Sequence, residues 1–295
     1  GRCGIVIPSG IYMDLGAKQL REMLFAQTQI TGLFCFENRK AIFEGVDSRF
    51  KFVTLSFVKS KSTFSFPAAF MRHDVAELEH FPDHHSLQIN VDLVKKLSPD
   101  SLSVMDFKSE RDIEIAEKML KFPLLVEKME GVWNFVLCSE FHMTNDSHLF
   151  QTVGAHGNVP KTQMDASKKG ALPCAPTLPL YEGKMIWQFD HEYLEPRFFV
   201  DEKSGRKAIL GRTNDIGQKL DYQTCRLGFR DIASNTNERT LVSAIIPPAF
   251  HGNKIPTAKI FDDNGDLLLT SEQQLFLCGV WNSFTLDYVI RQKVT

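Results

Sequence analysis

Long apolar runs are missing from this 295-residue chain. None approaches the roughly 18 residues needed to cross a bilayer, and no leader of basic then apolar residues opens it. A soluble, cytoplasmic protein is the expectation. Cysteine is sparse: Cys3, Cys35, Cys138, Cys174, Cys225 and Cys278 are scattered and form no CxxC pair. The pattern fits reduced, buried thiols better than a disulfide framework. His84, His85, His142, His148, His156 and His191 keep no metal-ligand spacing with those cysteines, which argues against structural zinc. There is no GxSxG elbow and no phosphate-binding P-loop. Pro82-Asp83 and Pro99-Asp100 lack the following Glu-x-Lys of a metal-dependent nuclease, and no paired acid and base emerges. Gly10 and Gly16 do not make the glycine-rich turn that holds a nucleotide cofactor. Excess positive charge is absent too: the net charge is −2, which argues against a wholly basic surface.

What is present is ordinary globular material, 43% hydrophobic and 24% charged, enough for a sizeable core. Residues 4–8 read as a buried strand at once, so the chain is expected to be a piece of something longer. Met13–Ala26 has helical spacing; Ile30–Phe36 and Phe52–Val58 read as strands. Such alternation predicts part of a doubly wound α/β sheet. Short elements are expected at Val75–Leu78 and Leu87–Val94, and Ser109 with Asp112 predicts a helix start. Residues 142–185 are polar and aperiodic, as functional or disordered stretches are. Beyond them the pattern is mostly β: Met185–Phe189, Lys207–Leu210, Thr224–Ile232 and Arg239–Ile246. A last helix is predicted from Ser271, with Gln274 as its capping partner.

Two features carry chemistry. Between Lys203 and Arg239 lie eight basic residues against four acidic ones, a local excess of +4. On a strictly alternating strand, Arg226, Gly228 and Arg230 would share one face, open to a phosphate or a guanine edge. The turn Ser234-Asn-Thr-Asn-Glu-Arg would add amides and hydroxyls. A solvated strand face with a polar turn accounts for the same pattern. The other feature is Phe43, in the loop Ala41-Ile-Phe-Glu-Gly-Val, placed either to stack on a base or to plug the core.

The ordered set of motifs resembles the type IIG restriction–modification methyltransferases and the related methyltransferases of BREX-type phage defence, which modify adenine N6. Gly4-Ile-Val-Ile-Pro-Ser-Gly-Ile resembles the strand after their catalytic motif. Phe36-Glu-Asn-Arg and Ala41-Ile-Phe-Glu-Gly-Val-Asp-Ser-Arg-Phe-Lys-Phe resemble their late motif. Thr144-Asn-Asp-Ser-His-Leu-Phe, Leu178-Pro-Leu-Tyr-Glu-Gly-Lys-Met-Ile, Gln188-Phe-Asp-His, Arg226-Leu-Gly-Phe-Arg-Asp-Ile-Ala, Thr236-Asn-Glu-Arg-Thr-Leu and Ile245-Ile-Pro-Pro resemble their linker and recognition region. Asn282-Ser-Phe-Thr-Leu-Asp-Tyr resembles the run into their C-terminal helices.

The resemblance implies an α/β fold: the C-terminal strands of a Rossmann-like methyltransferase sheet with a connecting region over residues 1–108, then a mixed α+β target-recognition domain over 109–295. It implies that Phe43 packs on the flipped target adenine. It also implies that Lys184, Arg212, Arg226, Arg230, Asn235, Asn237 and Arg239 touch double-stranded DNA. The family's S-adenosylmethionine motif and Asn-Pro-Pro-Tyr loop do not occur here; they would lie before Gly1. The cofactor therefore belongs to the parent, the missing N-terminal methyltransferase half is an expected partner, and this chain alone is expected to transfer no methyl group. A subunit-interaction module of a restriction or phage-defence complex, without direct DNA binding, stays open as the alternative.

Overall fold

A computed structural model describes every residue except 60–61, 124, 126, 128, 130–133, 153–175, 235 and 295. The chain forms two compact units, Gly1–Leu124 and Leu125–Thr295. Among the described residues no helix is long and apolar enough to cross a membrane.

The first unit is built on five strands: β1 (Arg2–Pro8), β2 (Thr28–Glu37), β3 (Lys51–Lys59), β4 (Ser65–Arg72) and β5 (Leu87–Asn90). They lie in the order β1-β3-β2-β4-β5. Helices α1 (Gly10–Met13) and α2 (Lys18–Gln27) connect β1 to β2. Period-two alternation sends Leu33 and Cys35 of β2 to one face and Phe34 and Phe36 to the other. Both faces are covered. Leu33 and Cys35 join Leu24, Phe25, Val53, Leu55 and Phe66 in the main core. Phe34 and Phe36 pack with Phe52, Ala69 and Phe81. Gly32 is required in β2, because a Cβ there would sit 2.7 Å from the Phe81 ring.

The α/β class expected from sequence is observed, as a mixed α/β chain with several sheets. The regular doubly wound pattern is not. In this five-stranded sheet β3 runs antiparallel to both β1 and β2, and β2 pairs with β4 in parallel. A loop rather than a helical crossover joins β2 to β3, so β3 must return antiparallel.

Helix α3 (Val91–Leu97) follows β5, and α4 (Glu110–Met119) closes the unit. The Asp112 carboxylate accepts from the backbone N–H groups of Lys108 and Ser109, as the capping signal predicted. Ala116 and Ile113 of α4, with Leu120 at its C-terminal cap, pack on the first core. The division therefore falls at 124/125 rather than 108/109, because the helix assigned to the second domain buries its apolar stripe in the first.

The second unit holds two small sheets. One is β11 (Ser243–Ile246), β10 (Arg226–Phe229), β13 (Thr257–Ala258) and β6 (Leu137–Cys138), in that order. The other is β12 (Phe250–His251), β8 (Thr177–Tyr181), β9 (Phe198–Asp201) and β7 (Gln151–Thr152). Helices α5 (Glu202–Leu210), α6 (Ser271–Trp281) and α7 (Phe284–Arg291) complete it.

Several predicted elements change. Lys207–Leu210 is helical: the Asp201 carboxylate caps α5 through the Ser204 N–H, and Gly205 lets the helix lie on Phe250. Met185–Phe189 is a turn, not a strand. The last helix is capped by Thr270 with Gln273, one residue earlier than expected, and is broken at Asn282–Ser283. Gln274 is instead buried, its carbonyl accepting from the Leu227 N–H. Two thiols are exposed rather than buried, Cys3 and Cys225; Cys174 lies outside the described residues.

Candidate nucleic-acid interface

In the first unit the loop after β2 is shaped by Asn38. Its buried amide donates to the carbonyls of Phe43 and Val46 and accepts from the Phe43 N–H, all at 2.9–3.0 Å. Ala41 and Gly45 take the left-handed conformation that this tight path needs. The clamp leaves Phe43 44% exposed, its ring edge-on to Phe52 at 4.7 Å. Phe52 stacks on Phe36, and Phe36 touches Phe34. Phe43 thus neither plugs the core nor stands free; it is the outermost ring of an aromatic ladder. Beneath the loop, the Glu37 carboxylate accepts from Arg39 at 2.7 Å and lies 3.0 Å from the His73 ring. Burial works against the charged carboxylate, but those two partners prevail and hold it below the usual carboxylate range.

In the second unit the predicted basic cluster is dispersed. Arg226 is 0% exposed. Its guanidinium donates to Glu140 and to the Ala249 carbonyl. β10 lies between β11 and β13 in its sheet, and Arg226 and Gly228 on the expected open face are both buried, so that face is not open. Arg226 is corrected from a DNA contact to a core ion-pair residue. Arg239 is corrected likewise: it is buried, donates to the Asn282 carbonyl and lies over the Phe284 ring at 4.4 Å. Arg230 is half-buried, with its guanidinium on the Ile186 carbonyl and over the Trp187 and Tyr193 rings.

Asn237 is exposed, and its carbonyl accepts from Arg291. Asn235 lies outside the described residues. Lys184 is half-exposed and reaches Glu182 at 3.4 Å. Arg212 is exposed, and no ion pair to it is found among the described residues. What survives of the basic excess is on a helix. Lys203 and Lys207 stand one turn apart on the exposed side of α5, and Arg212 follows just beyond its end. The strand reading of Lys207–Leu210 hid that spacing.

The Arg226 site is a closed polar nest. The Glu140 carboxylate also accepts from the His251 N–H at 3.0 Å, and the His251 ring meets the Thr257 hydroxyl at 3.0 Å. Burial pushes Glu140 up, against the pull of Arg226. Burial, then the Arg226 charge, pushes His251 down from 6.5 to about 3. His251 is therefore held neutral, while in the unfolded chain it gains a proton below about pH 6.5. The unfolded state binds more protons in that window, so His251 draws stability away as pH falls from 6.5 toward 3. His251→Asn is expected to flatten that part of the profile, read as urea midpoint against pH. An unchanged acid limb would remove His251 as its cause.

No family model and no curated protein matches the chain. Three solved structures are similar to parts of it. One is a modification subunit of a putative type I restriction enzyme from Vibrio vulnificus YJ016: 13% identity, 32% of this chain and 23% of that chain, TM-score 0.26. Another comes from the assembly of a type I restriction–modification system: 17% identity, 41% of this chain and 32% of that one, TM-score 0.29. The third is the type IIL restriction–modification enzyme MmeI in complex with DNA: 10% identity, 88% of this chain and 34% of that one, TM-score 0.40. The chain spans about a quarter to a third of the length of these structures.

Proposed function

We propose that this chain is the DNA-reading portion of a site-specific adenine-N6 DNA methyltransferase of a restriction–modification system, type IIG or BREX-like. In that reading S-adenosylmethionine and the catalytic loop reside in a further, N-terminal part of the parent. The observation that carries DNA contact is the outward basic strip Lys203, Lys207 and Arg212. These three cations face solvent with no ion-pair partner among the described residues, as phosphate contacts require. Phe43, held outward by Asn38, supplies an aromatic surface for the flipped adenine. The edge of β1 supports the partner assignment. Among the described residues β1 pairs on one side only, and its Ile5 and Val6 are exposed, so it offers an edge to a neighbouring strand of the methyltransferase half.

The test is binding of a fluorescein-labelled duplex at several salt concentrations. Each phosphate contact contributes a slope of about −0.9 in log K against log salt. Replacing Lys203, Lys207 and Arg212 together by Ala is expected to make the slope shallower by roughly 2–3. Absence of binding at low salt would overturn the reading. A second reading, a subunit-interaction module without DNA contact, is favoured by Leu275 and Val280 of α6, exposed apolar side chains on a helix. A concentration-dependent dimer that ignores DNA would support it.

A further inference from the structure

The connection from β8 to β9 contains a turn that holds an aromatic residue where glycine is at home. Trp187 and Asp190 close it in both directions, the Trp187 N–H to the Asp190 carbonyl at 2.8 Å and the reverse bond at 3.2 Å. Phe189, at the third position, has φ +64°. That left-handed conformation crowds a Cβ, and a bulky residue adopts it only when its surroundings enforce it. Here they do. The Phe189 N–H donates to the carbonyl of fully buried Ser243, and the Gln188 side-chain oxygen accepts from the buried Arg239 guanidinium. Below the turn, Arg230 clamps the Ile186 carbonyl and stacks on Trp187. A rigid base thus drives a strained tip outward, and the Phe189 ring is 64% exposed, with no ring contact among the described residues.

Both features cost the free protein stability: the backbone strain, and the aromatic surface left in water. A packing role would have buried the ring, and a plain turn would carry Gly or Asn. Strain of this kind marks a site whose benefit is collected elsewhere. The residues that follow it in the chain say where. Asp190 and Glu192 are exposed carboxylates, one Asp190 oxygen accepting from the Glu192 N–H; carboxylates repel phosphates and accept from the exposed amino group of cytosine. The tip is therefore unsuited to the DNA backbone and suited to the groove floor.

We infer that Phe189 is a wedge that stacks on, or enters between, bases of the bound duplex; this rests on the DNA-reading function proposed above. Aromatic stacking on a base is worth a factor of roughly 5–150 in affinity. The discriminating variant is Phe189→Gly, which removes the ring and relieves the strain together. Expected are an unchanged or raised melting temperature and affinity for a fluorescein-labelled duplex with a randomised centre reduced by about 10-fold or more. Phe189→Trp should keep most of the affinity. If the wild-type chain binds no duplex, the DNA reading fails and the wedge with it. If the wild type binds and Phe189→Gly binds equally well, the wedge alone is overturned. A lowered melting temperature with proportionally lost binding would make Phe189 a structural residue and overturn the wedge as well.

Discussion

Arg226→Met is expected to destabilise the second unit by about 3–5 kcal/mol, because it strands Glu140 as an uncompensated buried charge. The pair is desolvated on both sides, with side-chain exposures of 0% and 5%. Among the described residues, the Glu140 carboxylate would keep its bond from the His251 N–H. Burial already pushes Glu140 toward its protonated form, and without the opposing Arg226 charge the variant carboxyl is expected to be pushed further the same way. Part of the cost should return when Glu140→Leu is added, since apolar replacements of a whole buried pair are often close to neutral. Urea unfolding followed by tryptophan emission reads this cleanly: Trp187 and Trp281 fall in the second unit, and no tryptophan precedes residue 125. A single variant with the wild-type midpoint would mean that the ion pair does not support the fold. Any loss of DNA affinity in Arg226→Met should follow the unfolded fraction, because the guanidinium does not reach solvent.

Arg226 also shows where sequence reading stops. Alternation correctly separates the two faces of a strand, but it cannot say that a further layer covers the polar one. The partner that neutralises Arg226 lies 86 residues upstream, a separation no local pattern reports. In the first unit the reading fares better. β2 and β3 are marked by apolar runs rich in β-branched and aromatic residues, and the Asp112 cap is a contact across three residues. Phe43 was legible as an exposed loop aromatic, yet the Asn38 amide that fixes it was not, since buried and solvated asparagines look alike in a sequence. The basic excess over 203–239 was real in number. Its geometry depended on α5 being a helix, which the cap from Asp201 decides and the short apolar run Ala208–Leu210 does not. Phe189 carries no sequence signal at all, because its positive φ contradicts the residue type.

The first unit has a counterpart to Arg226 with a different chemistry. Arg21 is 2% exposed and forms no carboxylate pair among the described residues; its guanidinium donates to the carbonyls of Ser101, Ile11 and Asp14 at 2.6–3.2 Å. One side chain thereby satisfies the carbonyls that α1 leaves open at its end and ties the segment around Ser101 to them. Burial lowers its pKa and Asp14 raises it. Arg21→Met is expected to cost about 1–3 kcal/mol, since partly buried carbonyls lose charged donors. Arg21→Lys should recover only a fraction, because an ammonium lacks the planar fork that spans three acceptors. No tryptophan lies in the first unit, so emission should stay silent. Hydrogen exchange by mass spectrometry should show faster exchange across Gly10–Asp14 and around Ser101, with β10 and α6 unaffected. Exchange that quickens in both units alike would show that the two fold as one cooperative block, and the assignment of Arg21 to a local clamp would fall.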